Sequence, residues 1–223
     1  LVVTAATAWI GIWFTASRLP LHLAGELAAT DAFESVLLRQ VATVAVLLLP
    51  TGIALGATFT MALATASSGA ATAGRDAALV YGANTCGAVG GALLAGFVLL
   101  ARLGLQGTAA AVTVVTLGGG LAIAARALAR QAETSSARAA IVALAACGGL
   151  LVLVIDLPAW DRDLLSSGAY KYARNIGADE LEAALRAGTL EYYKEGASAT
   201  VSVRRRAGAR ALVIDGKVHG SRG

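Results

Sequence analysis

Residues 77–101 read Ala77-Ala78-Leu79-Val80-Tyr81-Gly82-Ala83-Asn84-Thr85-Cys86-Gly87-Ala88-Val89-Gly90-Gly91-Ala92-Leu93-Leu94-Ala95-Gly96-Phe97-Val98-Leu99-Leu100-Ala101, with no charged side chain among them. As a helix the stretch is long enough to cross a hydrocarbon core of about 30 Å. Ala83, Gly87, Gly91 and Ala95 recur every fourth residue and share one face. Faces this smooth let helix backbones approach closely, which is how helices associate in lipid. These residues are therefore expected to pack against another helix. The carboxamide of Asn84, near the start of the same face, needs a partner in lipid and is expected to point into a bundle.

Outward from this stretch, the composition agrees. The 223 residues are 57% hydrophobic and 14% charged, with a mean hydropathy of +0.70. Soluble domains average about 25% charged residues. Apolar blocks continue to Ile155, and beyond Asp156 the chain turns polar. That pattern excludes one large globular core and describes a membrane protein with a soluble tail. The chain opens at Leu1 inside an apolar run with no basic residues ahead of it, unlike a signal peptide. It is read as a fragment of a longer protein. Cys86 and Cys147 both fall in apolar spans, where small buried packing residues are expected rather than a disulfide framework. The formal net charge of +4 bears first on loop orientation and anionic headgroups.

The pattern predicts an α-helical membrane bundle of five spans, at 1–17, 41–64, 77–101, 108–125 and 139–155. Trp9, Trp13 and Phe14 form a candidate interfacial belt on the first. Residues 18–40 read as a polar connector with a short surface helix. Residues 65–76 read as a small polar loop, 102–107 as a tight turn and 126–138 as a basic loop. Pro50 predicts a kink in the second span. Gly87 to Gly91 and Gly118 to Gly120 lie inside spans and not between a strand and a helix, so they read as packing glycines, not phosphate loops. Asp156-Leu157-Pro158 closes the fifth span. Arg75, Arg126, Arg130 and Arg138 on one side nearly balance Arg18, Arg39, Arg102, Arg162, Lys171 and Arg174 on the other, so charge leaves the orientation ambiguous.

The tail divides into a linker, 157–188, and a small antiparallel β-domain, 189–223. In the linker, Asp179 to Ala187 reads as a short helix with Leu181, Ala184 and Leu185 on one face and Gly188 as its stop. In the β-domain the period becomes two, with turn signals at Ala207-Gly208 and Asp215-Gly216. Arg204, Arg205, Arg206 and Arg210 read as a solvated, charge-protected strand edge that is also able to meet lipid headgroups. No aromatic residues interleave with them, which argues against nucleic acid. His22 and His219 have no Cys or carboxylate at ligand spacing, so no metal is expected.

Two phrases carry a resemblance: Leu190-Glu191-Tyr192-Tyr193-Lys194-Glu195-Gly196-Ala197-Ser198-Ala199-Thr200-Val201-Ser202-Val203 and Leu212-Val213-Ile214-Asp215-Gly216-Lys217-Val218. They resemble the N-terminal β-domain of the spermidine synthase (polyamine aminopropyltransferase) family, and more closely its bacterial membrane-fused branch. Residues 50–61, 81–88, 94–105 with Gly107, and 160–170 look like that branch as well. The resemblance implies that a methyltransferase-like α/β domain follows Gly223, binds decarboxylated S-adenosylmethionine as co-substrate and carries the catalytic Asp. On that reading residues 1–223 bind no cofactor and hold no catalytic residue. Asp215, Gly216 and Lys217 match the family's turn near its cleft and are the candidate substrate-binding residues; Ala199 stands where the soluble synthases have a ligand-contacting Gln. The implied partners are the lipid bilayer, the downstream domain and a second copy, with Asn84, Gly87, Gly91 and Ala95 as helix-packing residues. The implied location is a bacterial inner membrane with the tail cytoplasmic. The alternative is a membrane transporter or a scaffold with a small regulatory β-tail. A transporter's path usually needs ionisable residues inside the spans, and from Val41 onward the five spans contain none.

Overall fold

The computed structural model describes residues 1–29, 33–66, 69, 71–129, 134–155, 159–173 and 180–222. The helices are α1 (Val2–Ser17), α2 (Leu19–Ala29), α3 (Phe33–Ala66), α4 (Ala73–Leu94), a π-helical turn at Ala95–Leu99, α5 (Leu100–Ala129), α6 (Thr134–Ile155) and three short ones, α7 (Arg162–Leu165), α8 (Ala169–Tyr172) and α9 (Leu181–Leu185). Four strands follow: β1 (Thr189–Glu195), β2 (Thr200–Arg206), β3 (Ala209–Ile214) and β4 (Lys217–Arg222). The chain divides into two compact units. One contains Leu1–Ile10, Leu47–Leu99 and Gly107–Leu157; the other contains Gly11–Val46, Leu100–Gln106 and Pro158–Gly223.

The first unit is helical. Its buried cluster joins Ala5 of α1, Leu117 of α5 and Cys147 of α6, with Val2, Leu121, Leu150 and Leu151 packed around it. The Cys147 thiol lies 3.8 Å from the Leu117 carbonyl. A methyl group on Gly120 would sit 3.5 Å from the Cys147 sulfur, so this glycine does pack. Thr4 and Thr58 hydroxyls meet at 3.4 Å, and Phe59 and Tyr81 stack edge-on at 4.9 Å.

Among the described residues, two helical stretches, Phe33–Ala66 and Ala73–Arg126, are long and apolar enough to cross a membrane. A third is available if Val2–Ser17 and Leu19–Leu27, bent by 55° at their junction, count as one. Their apolar side chains face outward: Val46 is 71% exposed, Phe97 73% and Val115 75%. A helix that is apolar all round and uncovered by protein suits lipid, which suggests membrane association.

Several element boundaries differ from the sequence reading. The second apolar helix begins at Phe33, not Val41, and continues through Pro50. Residues 33–40 carry Glu34 and Arg39, so hydropathy falls there, but Glu34 in the first turn favours the helix N-terminus. The tight turn expected at 102–107 narrows to one residue. Gly104 has φ 70° and ψ −175° inside an otherwise helical run, a conformation that a residue with a Cβ rarely adopts. At 1.5 Å per residue, the 54 residues of Ala73–Arg126 span about 80 Å, more than twice a bilayer core, and Gly104 divides them. The basic loop shortens because α5 runs to Ala129 and α6 starts at Thr134. The expected stop at 156–158 lies outside the described residues.

The expected packing face on α4 is open. No residue of α4 is buried, Asn84 is exposed, and a methyl on Gly87 or Gly91 would meet nothing within 4 Å. Ala95 opens the π-helical turn, half-buried. Cys86 is exposed on the same helix, whereas Cys147 is buried as expected; both are free thiols.

In the second unit, α2 supplies Ala24, with Leu21 and Leu27 beside it, to a core completed by Leu164, Ala169, Ala173, Leu181 and Leu185. The apolar face read for 179–187 is therefore correct, with the helix itself running from Leu181 to Leu185 and Asp179 outside the described residues. The sheet is an antiparallel meander in the order β1-β2-β3-β4. The register places Ser202 opposite Tyr193 and Val213, and Arg204 opposite Leu190 and Ala211, on one face. Ser202, Arg204 and Val213 are buried there. The other face carries Tyr192, Val203 and Leu212, with Val201 and Ile214, and it is open. Ser202 and Arg204 thus share the covered face with Val213, while Val201, Val203, Leu212 and Ile214 lie on the other, so the usual apolar-in, polar-out alternation is not kept.

Candidate functional site

The three residues singled out from the sequence sit at the β3–β4 turn but do not converge. Asp215 (φ 48°) and Gly216 (φ 77°) form a left-handed two-residue turn. The Asp215 carboxylate accepts from the Thr200 amide at 2.7 Å, and its own amide donates to the Thr200 carbonyl at 2.9 Å. Among the described residues, Asp215 is the only ionisable group lining an open cleft of about 330 Å³ whose walls include Pro20, Leu23, Leu164 and Ala169. Gly216 lies against Gly168 and lines a separate depression with Tyr172 and Arg204. Lys217 lines neither; it opens β4 on the uncovered face of the sheet, opposite Ile214. One carboxylate at the mouth of an apolar cleft suits a cationic head with a hydrocarbon chain.

Beneath the sheet, Arg204 is a clamp and not the solvated edge residue expected from the sequence. Its guanidinium donates to the carbonyls of Leu185 (3.2 Å), Ala187 (3.1 Å) and Asp163 (2.8 Å). It also reaches the Asp163 carboxylate at 3.0 Å and the Ser166 hydroxyl at 3.3 Å. Burial pulls its pKa below the ordinary value; the Asp163 charge pushes back, and the Arg206 charge adds to the fall. The other arginines of the hairpin are also engaged. Arg206 donates to the Ala184 carbonyl at 3.0 Å, while Arg205 and Arg210 both pair with Glu191. Partial desolvation raises the Glu191 carboxyl, but the hydrogen bonds and charges of Arg205 and Arg210 outweigh it and hold it below its ordinary value. In the linker, Asp161 caps α7 by accepting from the Leu164 amide at 3.0 Å and pairs with Arg186, whose pKa the hydrogen bond to Asp161 raises.

The sheet also closes the helix break in α5. Glu195, at the end of β1, accepts from the amide of Leu105, the first residue after Gly104. A methyl on Gly104 would lie 2.7 Å from the same carboxylate oxygen. Its other oxygen accepts from the Tyr193 hydroxyl at 2.8 Å, and Arg162 stands 5.6 Å from the Tyr193 ring centre. Next along α5, Gln106 accepts from the Trp160 amide at 3.1 Å. A carboxylate thus occupies the amide-rich start of the helical run beginning at Leu105, where the helix dipole favours negative charge. The sequence reading missed this cap, and nothing in residues 190–196 alone points to a partner ninety positions earlier. Arg204 did carry a signal: strict alternation puts it on the same face as Ser202, and that face is the buried one.

Burial raises the Tyr193 phenol well above its ordinary value of 10, and the hydrogen bond to Glu195 adds to the rise. The neutral phenol is the favoured form, so its contribution to stability is complete below pH 10 and is lost as pH climbs through the higher folded value. In an alkaline ultraviolet titration of the detergent-solubilised chain, Tyr193 should contribute a component that ionises well above pH 10. Tyr193→Phe should delete that late component; a wild-type curve unchanged by the substitution would refute the assignment.

Among the described residues, no three His, Cys, Asp or Glu side chains gather closely enough to hold a metal ion. No family model, curated protein or solved structure matches the chain.

Proposed function

We propose that residues 1–223 are the membrane anchor and β-module of an aminopropyltransferase that resembles the spermidine synthases. The helices cross the bilayer of an inner membrane five times, with Gly104 separating the third crossing from the fourth. The intact enzyme moves the aminopropyl group of decarboxylated S-adenosylmethionine onto an amine. The amine nitrogen attacks the methylene next to the sulfonium, a C–N bond forms as the C–S bond breaks, and sulfur leaves as a neutral thioether. The proton lost by the amine passes to a carboxylate positioned beside it, which this reading places in the catalytic domain that follows.

The observation that carries the reading is the Asp215-Gly216 turn. The two phrases that resemble the family fold into one meander, the first as β1 and β2 and the second as the β3–β4 turn, and that turn puts a carboxylate beside an apolar cleft of a size that takes an alkyl amine. The test is full-length protein in detergent, decarboxylated S-adenosylmethionine and a panel of diamines and polyamines, with the thioether product measured. Transfer is expected, and Asp215→Asn should raise the amine KM about tenfold while changing kcat less, since a charge-assisted contact is worth about 1.5–3 kcal/mol. No transfer to any amine in the panel sinks the proposal.

A further inference from the structure

The open face of the sheet is not used by the proposed chemistry. Across its centre lie Tyr192, Val203 and Leu212, paired strand to strand, with Tyr192 49% and Leu212 42% exposed. At one end the register stacks Arg205, Arg210 and Arg222 directly opposite one another on β2, β3 and β4. Like charges placed opposite in a sheet are destabilising. Glu191 bridges the first two, and Arg222 on the edge strand has no counter-ion among the described residues. At the other end Lys194 and Lys217 flank Val201 and Ile214. Gly220, on the same face, has nothing within 4 Å of where a side chain would start. The face therefore has an aromatic and aliphatic centre between two basic ends, and it keeps a repulsive arginine row.

We propose that this face docks on the anionic phospholipid surface of the membrane that the helices cross, with the arginine row and the two lysines on lipid phosphates and Tyr192 and Leu212 at the headgroup boundary. Charge complementarity selects the occupant, because lipid phosphates relieve the arginine row whereas a neutral or basic partner does not. The sheet's attachment supports it: Glu195, at the end of β1, accepts a hydrogen bond from the Leu105 amide, directly after the break at Gly104 between two apolar helical stretches. The inference rests on the helices crossing a membrane and not on aminopropyl transfer.

The test uses the full chain carrying Cys86→Ala, Cys147→Ala and Leu212→Cys, labelled with a small fluorophore and reconstituted in nanodiscs. One set is phosphatidylcholine alone, and the other includes phosphatidylglycerol. Quenching by a headgroup-spin-labelled lipid is expected to be several-fold stronger in the anionic discs. It should fall to the zwitterionic level in about 1 M salt, where the screening length is only about 3 Å. Arg222→Gln should weaken the quenching about fivefold, matching the usual effect of one basic residue near an anionic surface. Arg222→Gln also leaves the Glu191 pairs intact, so a loss of folding does not confuse the reading. Equal quenching in both lipids overturns the proposal. So does shielding of the label from a water-soluble quencher that is indifferent to lipid and salt, because that marks a protein cover, whether a second copy or another domain.

Discussion

Arg204→Met should speed thermolysin cleavage of the tail by about a hundredfold in detergent-solubilised protein. The guanidinium reaches three main-chain carbonyls, one carboxylate and one hydroxyl from the linker, and its side chain is only 10% exposed. Methionine fills much of the volume but donates nothing, so the carbonyls of Leu185, Ala187 and Asp163 lose their partner together. Breaking a buried charged cluster by removing one member costs about 3–5 kcal/mol. Asp163 is 45% exposed and water can satisfy it, which brings the expectation to about 3 kcal/mol. Cleavage through local opening follows the open population, and each 1.4 kcal/mol is about tenfold. Arg204→Lys should recover little, since an ammonium is a point donor and cannot span carbonyls held by the flat guanidinium fork. Cleavage within threefold of wild type for both variants would show that the linker and sheet do not depend on the clamp.

Gly168→Ala should destabilise the same unit by about 2–4 kcal/mol, combining strain and overpacking. Gly168 has φ 70°, and a methyl there would lie 2.0 Å from the Gly216 carbonyl oxygen and 2.9 Å from the Tyr172 ring. The nearest obstacle is backbone, so a rotamer change does not relieve it. The β3–β4 turn must lift from the linker, which moves Asp215 at the cleft and loosens the Val218 amide's contact with the Tyr172 hydroxyl at 3.4 Å. Gly208→Ala is the matched control. Its φ is 86°, but nothing lies within 4 Å, so only the conformational cost of about 1 kcal/mol is expected. Thermal unfolding of both variants separates the two contributions; equal shifts would mean that the contact with Gly216 is not what constrains residue 168.

The meander was legible because its information is local. Ala207-Gly208 and Asp215-Gly216 set the turns, and a period of two set the strands between them. The face of α9 was legible for the same reason, through Leu181, Ala184 and Leu185. Helix ends were less so. Hydropathy marks where lipid should stop, whereas a helix stops where its hydrogen bonds do, and α3 starts eight residues before its apolar run at Val41. The charge on Arg204 suggested solvent, yet its neighbours across the sheet and in the linker bury it. That partnership joins positions 163, 185 and 204, which no single window contains. The α4 face shows the converse: Gly87 and Gly91 announce a close approach in the sequence, and the fold of this chain leaves that approach open.

The contact between Leu105 and Glu195 has a consequence for biogenesis. On the ribosome the amide emerges ninety residues before the carboxylate that satisfies it. The break at Gly104 therefore receives its lock only after the residues between 105 and 195 have been made. The hinge is fixed by a later-made part of the chain reaching back to an earlier one.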